Sequence, residues 1–358
     1  MSKPIIVGIS GGVDSSVSAF TLKEKGYDIE CIFMKNWDGD EESCTSEEDY
    51  KDALLVCDKI DVPLRTVNFA KEYWDNVFQY FLSEHSKNRT PNPDVICNRE
   101  IKFNSFLNYS IKLGARKIAT GHYAQINKKD GLYTLHKGRD NAKDQSYFLC
   151  SLNQRALSRS IFPVGDISKN RVRQIARDNN LLNHSKKDST GICFIGEQSH
   201  FKKFLKKYIP EKPGLIKTTD GIVCGEHEGL MYYTIGQRRG LGIGGGYGYS
   251  ELPWFVADKI IKENVLIVAQ GHDHPALYHS TLTASNFNWI SGTPSKKNNL
   301  TAKIRYRQND QNCNIALLSK DKVHIKFNEP QFAITPGQFA VLYDNNECLG
   351  GGIIDNRK

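Results

Sequence analysis

The sequence predicts an α/β protein in three parts: a parallel-sheet domain, a glycine-rich central segment and a small C-terminal β-barrel. Three observations carry this. Short apolar runs alternate with helical patterns through the first half, as in parallel sheets covered on both faces. Helical periodicity fades from Pro210 onward, and glycines crowd together between Gly236 and Gly248. Beyond about residue 275, short strand-like runs recur between Asn, Asp, Pro and Gly, the spacing of a small barrel. The expected boundaries are 1–204, 205–275 and 276–358. A domain takes roughly 100–200 residues, so a 358-residue chain has room for two or three.

The elements follow in order. Residues 4–9 (PIIVGI) read as a buried strand, and 13–25 as a helix stopped by Gly26. A second strand is expected over 28–34. A helix then opens at Ser46, with Glu47 and Glu48 in its first turn and Ala53, Leu54, Val56 and Cys57 on its apolar side. Strands are predicted over 64–69 and 117–120, and helices over 71–86 and 100–113, the latter stopped by Gly114. Barrel strands are predicted over 300–306, 313–318, 323–327 and 339–343.

Composition narrows the class. Hydrophobic residues make up 39% and charged residues 25%, as in ordinary globular proteins. No apolar run reaches the ~18 residues that a membrane helix needs, and Met1-Ser2-Lys3-Pro4 leads straight into a strand without a leader layout. A cytoplasmic protein with no membrane partner is expected. The formal charge of +8 is mild and gains meaning only where basic groups gather: Lys202-Lys203 with Lys206-Lys207, Arg238-Arg239, and Arg305 with Arg307. Nine cysteines include no C-x-x-C pair, which argues against a zinc ribbon or a local iron–sulfur site. The odd count in a leaderless chain argues against a disulfide framework.

The strongest local signal is Ser10-Gly11-Gly12-Val13-Asp14-Ser15-Ser16, between the first strand and the first helix. Glycines let a backbone approach an anion closely. The helix that follows offers unpaired N–H groups and a positive dipole end, and the serines add hydroxyls. Asp14 repels phosphate unless a cation intervenes, so Mg²⁺ is expected with a bound nucleotide. The stretch lacks the lysine of the G-x-x-x-x-G-K-[ST] loop. It resembles the PP-loop of ATP pyrophosphatases, which cleave ATP between the α- and β-phosphates and adenylate an oxygen of their substrate.

Two cysteines stand in unusual company. Cys97 follows Thr90-Pro91-Asn92-Pro93-Asp94-Val95-Ile96, whose prolines predict an extended or turn conformation, with a helix starting near Arg99. A helix N-terminus and an adjacent Arg both favour thiolate over the ordinary thiol of pKa ~8.5. Asp94 is placed to act as a base or to orient one. Cys193 lies in Ser189-Thr190-Gly191-Ile192-Cys193-Phe194-Ile195-Gly196, where flanking glycines predict a tight turn exposing the thiol.

Taken together, SGGVDSS, PNPDVICNREIKF, ATGHYA, KDQSYFL, STGICFIG, YTIGQRRGLG and AKIRY, in this order over most of the chain, resemble the tRNA-specific 2-thiouridylase family. The resemblance implies ATP-dependent 2-thiolation of the wobble uridine of tRNAs for Lys, Glu and Gln. It implies Cys97 as nucleophile, Cys193 as persulfide carrier and Asp94 as acid or base. ATP would lie along Gly8, Ile9, Ser10, Gly11, Gly12, Val13, Asp14 and Ser15, with Met34 and Gly121 near the adenine side. Asn92, Pro93 and Asp94 would meet the target uracil. His122, Lys143, Asp144, Gln145, Arg305, Tyr306 and Gln338 would touch tRNA, and a cysteine desulfurase or relay protein would donate sulfur. A base inside a stack must leave it to be reached, which a single-stranded anticodon loop makes easier. The 242–248 glycine run reads either as a flap ordered by tRNA or as a plain flexible loop.

Two other functions compete. A PP-loop synthetase acting on a small molecule would need no cysteine pair. A non-catalytic RNA-binding protein would have no use for an acidic phosphate loop. His272-Asp273-His274 lacks a third ligand nearby and reads as a surface turn, so no resident metal site is expected.

Overall fold

A computed structural model describes residues 3–38, 46–188, 201–244 and 252–358. The first domain opens with β1 (Ile5–Ile9), α1 (Val13–Glu24), β2 (Ile29–Lys35), α2 (Ser46–Lys59) and β3 (Leu64–Asn68). Next come α3 (Ala70–Tyr73), a π-helical turn Trp74–Phe78 and α4 (Gln79–Ser86). A second composite helix joins α5 (Pro93–Cys97), a π-helical stretch Asn98–Phe106 and α6 (Leu107–Lys112). Strand β4 (Lys117–Ala119), the hairpin β5 (Ala124–Lys129) and β6 (Leu132–Lys137), α7 (Gln154–Ser158), β7 (Ser160–Ile161) and α8 (Lys169–Asp178) complete it.

The order β3-β2-β1-β4-β7 is parallel throughout. The strand β1 is central and fully buried, as its uninterrupted apolar run predicts. Helices cover both faces. Ile6, Ile32, Phe106 and Ile118 belong to one core, while Val7, Val17, Cys31, Cys57 and Val172 belong to the other.

The central segment holds α9 (Phe201–Lys206) and a small sheet of β8 (Gly214–Thr218), β9 (Val223–His227), β10 (Trp254–Ile260) and β11 (Val265–Gln270), in the order β10-β11-β8-β9. The barrel follows, with β12 (Tyr278–Trp289), β13 (Asn299–Lys303), β14 (Gln311–Ser319), β15 (Lys322–Phe332), β16 (Phe339–Asp344) and β17 (Glu347–Arg357). Pairing of β12 with β17 closes it.

Three expectations are corrected. The helix expected near Arg99 starts at Pro93: Asn92 caps it by accepting the Val95 amide at 3.3 Å, and proline at the first helical position costs nothing because that N–H has no partner in any helix. The β5–β6 hairpin, although inside the first domain, joins β17 and extends the barrel sheet. Arg305 and Tyr306 lie beyond the end of β13, in the turn that follows it, instead of on a strand.

Candidate active site

The loop between β1 and α1 is held by its own hydrogen bonds and by its neighbours. Gly11 has φ +72°, and a Cβ there would fall 2.2 Å from Asp49 O. The Ser10 amide donates to Ser15 Oγ at 3.1 Å, and the Ser15 and Ser16 hydroxyls donate to Gly12 O at 2.9 and 3.0 Å. Asn183 buttresses the loop from behind, donating to Gly11 O and Ser16 Oγ, both at 2.8 Å. Gly12 is the N-cap of α1 and brings no side-chain cap, and the uncapped start of a 12-residue helix suits the phosphates of a nucleotide.

Close packing gathers the other nucleotide candidates here. A Cβ on Gly8 would meet Met34 Cε and Phe106 Cε1, each at 3.2 Å. Gly121, just past β4, leaves no room for a Cβ, which would lie 2.7 Å from Ser15 N. Ile9 and Val13 are buried in the core behind the loop.

Asp14 is already offset by a cation from the chain. Lys169, the first residue of α8, reaches both its oxygens at 2.7 and 2.8 Å, and Tyr123 donates its hydroxyl to Oδ1 at 2.6 Å. Lys169 also pairs with Asp188 at 2.7 Å, which in turn receives Lys143 and Arg173 at 2.7 and 2.9 Å. Burial alone would raise the Asp188 carboxyl, but the bonds from Lys143 and Lys169 overcome it and hold the group at about 2. Lys143, Lys169 and Arg173 thus neutralise Asp14 and Asp188, while the Asp140 carboxylate accepts the Lys169 amide at 2.9 Å.

The composite helix bearing Asp94 and Cys97 meets this sheet through Phe106, which packs on Gly8 of β1. Cys97 is 5% exposed. Asp94 is open to solvent but ringed by protein; the crowding raises its carboxyl above the usual range, with Lys102 opposing. The barrel holds the approach to this helix. Pro336 O accepts the Thr90 amide at 3.0 Å, Gln338 Nε2 donates to Thr90 O and Pro91 O at 2.9 and 3.1 Å, and Asn92 Nδ2 reaches Gln338 Oε1 at 3.4 Å. Asn92 and Pro93 are buried in that contact. Cys193 and its turn lie outside the described residues, as do positions 245–251 of the glycine-rich run.

Three family models cover this architecture: a tRNA methyl transferase HUP domain over residues 3–197, a tRNA methyl transferase PRC-barrel domain over 202–270 and an aminomethyltransferase beta-barrel domain over 279–354. Similarity to characterised relatives runs the length of the chain. It is 57% identical over 353 residues to the tRNA-specific 2-thiouridylase MnmA of Nitrosomonas europaea, covering 98% of this chain and 97% of that protein. The chain belongs to the tRNA-specific 2-thiouridylase family. The 2-thiouridylase MnmA of Hydrogenovibrio crunogenus is 55% identical over 357 residues (99% of this chain, 94% of that protein), and that of Francisella philomiragia 55% over 354 residues (98% of each).

In this thiouridylase-family chain, the residues expected at tRNA are mostly engaged within the protein. His122 is buried between Phe103 and Phe162, with Nδ1 2.7 Å from Thr120 Oγ1, and burial lowers its pKa well below the ordinary value. Asp144, also buried, accepts the Gly138 and Ser146 amides at 3.1 and 3.0 Å, and Gln145 Oε1 accepts the Tyr123 amide at 3.0 Å. Arg305 donates to Ile235 O and Ala333 O at 3.0 and 2.9 Å, joining the central segment to the barrel. Tyr306 packs on Phe148 at 4.3 Å between ring centres, and the Arg307 guanidinium lies 5.4 Å from the centre of its ring. His272 stacks on Phe332 at 4.4 Å, in the turn the sequence predicts.

Tyr123, Lys169, Asn183 and Asp188 escape the sequence reading. Only Lys169 carries a local signal: Ser168 caps α8 ahead of a basic first turn, an arrangement unfavourable to the helix dipole unless something anionic lies nearby.

Proposed function

We propose that this chain is an ATP-dependent tRNA sulfurtransferase that replaces O2 of the wobble uridine with sulfur. The observation that carries the reading is the contact at Gly8: the strand feeding the phosphate loop packs on the helix bearing Asp94 and Cys97. That joins the element carrying the thiol to the strand leading into an anion-binding loop, and open α/β sheets bind ligands beyond the carboxyl ends of their strands.

The chemistry fits this pairing. Uracil O2 is a poor leaving group. Its attack on the α-phosphorus of ATP expels pyrophosphate and converts it to an adenylate. The terminal sulfur of a Cys193 persulfide then attacks C2, and AMP leaves with O2. Attack of the Cys97 thiolate on Cys193 Sγ frees the thiouridine and leaves a Cys97–Cys193 disulfide, which an external thiol must reduce. Asp94, with a carboxyl raised by its surroundings, is suited to taking and returning a proton. Mg²⁺ accompanies the nucleotide as counter-ion, and Lys169 offsets Asp14 within the protein.

The parts divide as 1–204 for catalysis, 205–275 as a central brace and 276–358 for tRNA. Lys143, Arg305, Tyr306, Gln338 and the segment 92–94 line the proposed tRNA path. A desulfurase or relay protein loads Cys193 in the cytoplasm. Among the described residues no helix is long and apolar enough to cross a membrane. A methyl transferase, as the family-model descriptions word it, would have no use for a phosphate loop beside a thiol. A small-molecule synthetase would tolerate Cys97→Ser. Mass spectrometry of tRNA nucleosides from cells lacking this protein tests the proposal: 2-thiouridine derivatives disappear if it holds and persist if it fails.

A further inference from the structure

The main chain of residues 88–91 leads into the segment of Asp94 and Cys97, and side chains from the other two parts grip it. The barrel supplies Gln338 and Pro336. The central segment supplies Thr234, whose hydroxyl is 3.2 Å from that of Thr90, and Lys259, whose Nζ donates to Asn88 O at 2.9 Å.

Asn88 has φ +61°, so the chain reverses there after α4, and a bond to its carbonyl sets the direction in which residues 89–94 leave. Lys259 is half-buried, one carbonyl is its hydrogen-bond acceptor, and the nearby guanidinium of Arg357 donates to Ala257 O at 2.6 Å and pairs with Asp258 at 3.1 Å. Burial and Arg357 press its pKa down to about 7. The ladder of β10 does not call for a lysine: residue 259 pairs with Leu266 through the backbone, which any residue would do. The side chain reaches out of its own sheet to a different domain.

We infer that Lys259 is a positioning residue for thiolation: by holding the Asn88 carbonyl it fixes how the 89–94 segment enters the helix of Asp94 and Cys97. The central segment is thereby tied to catalysis without touching substrate. This rests on the catalytic reading of Asp94 and Cys97 given above.

The test compares full-length wild type with Lys259→Met, Lys259→Arg and, as a control on the exposed turn after β10, Lys262→Met. Two quantities are read: the single-turnover rate of 2-thiouridine formation with KM for tRNA, and the rate at which iodoacetamide alkylates Cys97, by peptide mass spectrometry. A misplacement of about 1 Å costs up to ~10²-fold in rate. Lys259→Met is expected to slow turnover about tenfold with KM within about twofold, and to speed Cys97 alkylation severalfold. Lys259→Arg restores most of both, and Lys262→Met changes neither. A rise in KM at unchanged turnover would assign Lys259 to tRNA binding and overturn the inference. So would unchanged turnover and alkylation in Lys259→Met. If Cys97→Ser proves fully active, the catalytic reading fails, while the alkylation comparison still decides whether Lys259 holds the segment.

Discussion

Lys169 Nζ lies 2.7 and 2.8 Å from the two carboxylate oxygens of Asp14, and the lysine is 6% exposed. An acidic residue can therefore stand in a phosphate loop before any nucleotide arrives, because the fold brings its cation from 155 positions away. Removing one partner of a buried pair costs ~3–5 kcal/mol. Asp14 and Asp188 keep about 30% exposure, which lowers the expected loss for Lys169→Met to roughly 2–3 kcal/mol. Urea denaturation checks this. The double variant with Asp14→Asn is expected to lose less than the sum of the single variants, the sign of direct coupling.

Asn92 caps the helix bearing Asp94 and Cys97 and reaches Gln338. Asn92→Ala is expected to lower stability by about 1 kcal/mol, the usual worth of an N-cap. Turnover falls more than that stability loss explains, because the first turn carries Asp94. Denaturation and single-turnover rates measured on one preparation separate the two effects.

The carboxyl of Asp94 titrates above its unfolded value. A carboxylate raised in the folded state binds protons more tightly there, so it weakens the fold at neutral pH, and that penalty vanishes once both states are protonated. Asp94→Asn is therefore expected to melt slightly higher than wild type at pH 8, with the difference shrinking as pH falls through the range in which Asp94 titrates. Its activity should drop by about 10²–10⁴-fold, the usual contribution of a general acid or base. Melting curves at several pH values, beside rates, check both halves.

Gly121 packs on the amide of Ser15, and an added methyl would sit 2.7 Å from it. Gly121→Ala must push the loop or the strand end aside, at a typical cost of about 1–3 kcal/mol for overpacking. ATP affinity is expected to fall at least tenfold, since the displaced group is the loop itself; isothermal calorimetry reads this directly.

The sequence is most legible where local chemistry dictates structure. The apolar run of β1 and the glycines and serines of residues 10–16 predict a strand, a tight turn and a helix, and the chain folds so. The start of the helix bearing Asp94 and Cys97 is harder to see because two prolines look like helix breakers, although Asn92 followed by Pro93 is equally a cap and first helical position. The directions of His122 and Asp144 were beyond reach: a polar residue within a motif faces solvent or core according to what packs on it, here Phe103 with Phe162 and the amides of Gly138 and Ser146. The β5–β6 hairpin joins a strand more than 200 positions away, a pairing that no local pattern encodes. Lys169 and Asn183 reach the loop only through tertiary folding.

The central claim is that two cysteines and the ATP loop act on one uridine, and a reconstituted single turnover tests it most directly. Protein carrying a persulfide, ATP with Mg²⁺ and tRNA lacking the modification are mixed, and 2-thiouridine per tRNA is measured by mass spectrometry. Wild type is predicted to form the product in stoichiometric yield, with AMP and pyrophosphate in equal amount, while Cys97→Ser and Cys193→Ser release no thiolated tRNA. Full yield from either serine variant would contradict the account.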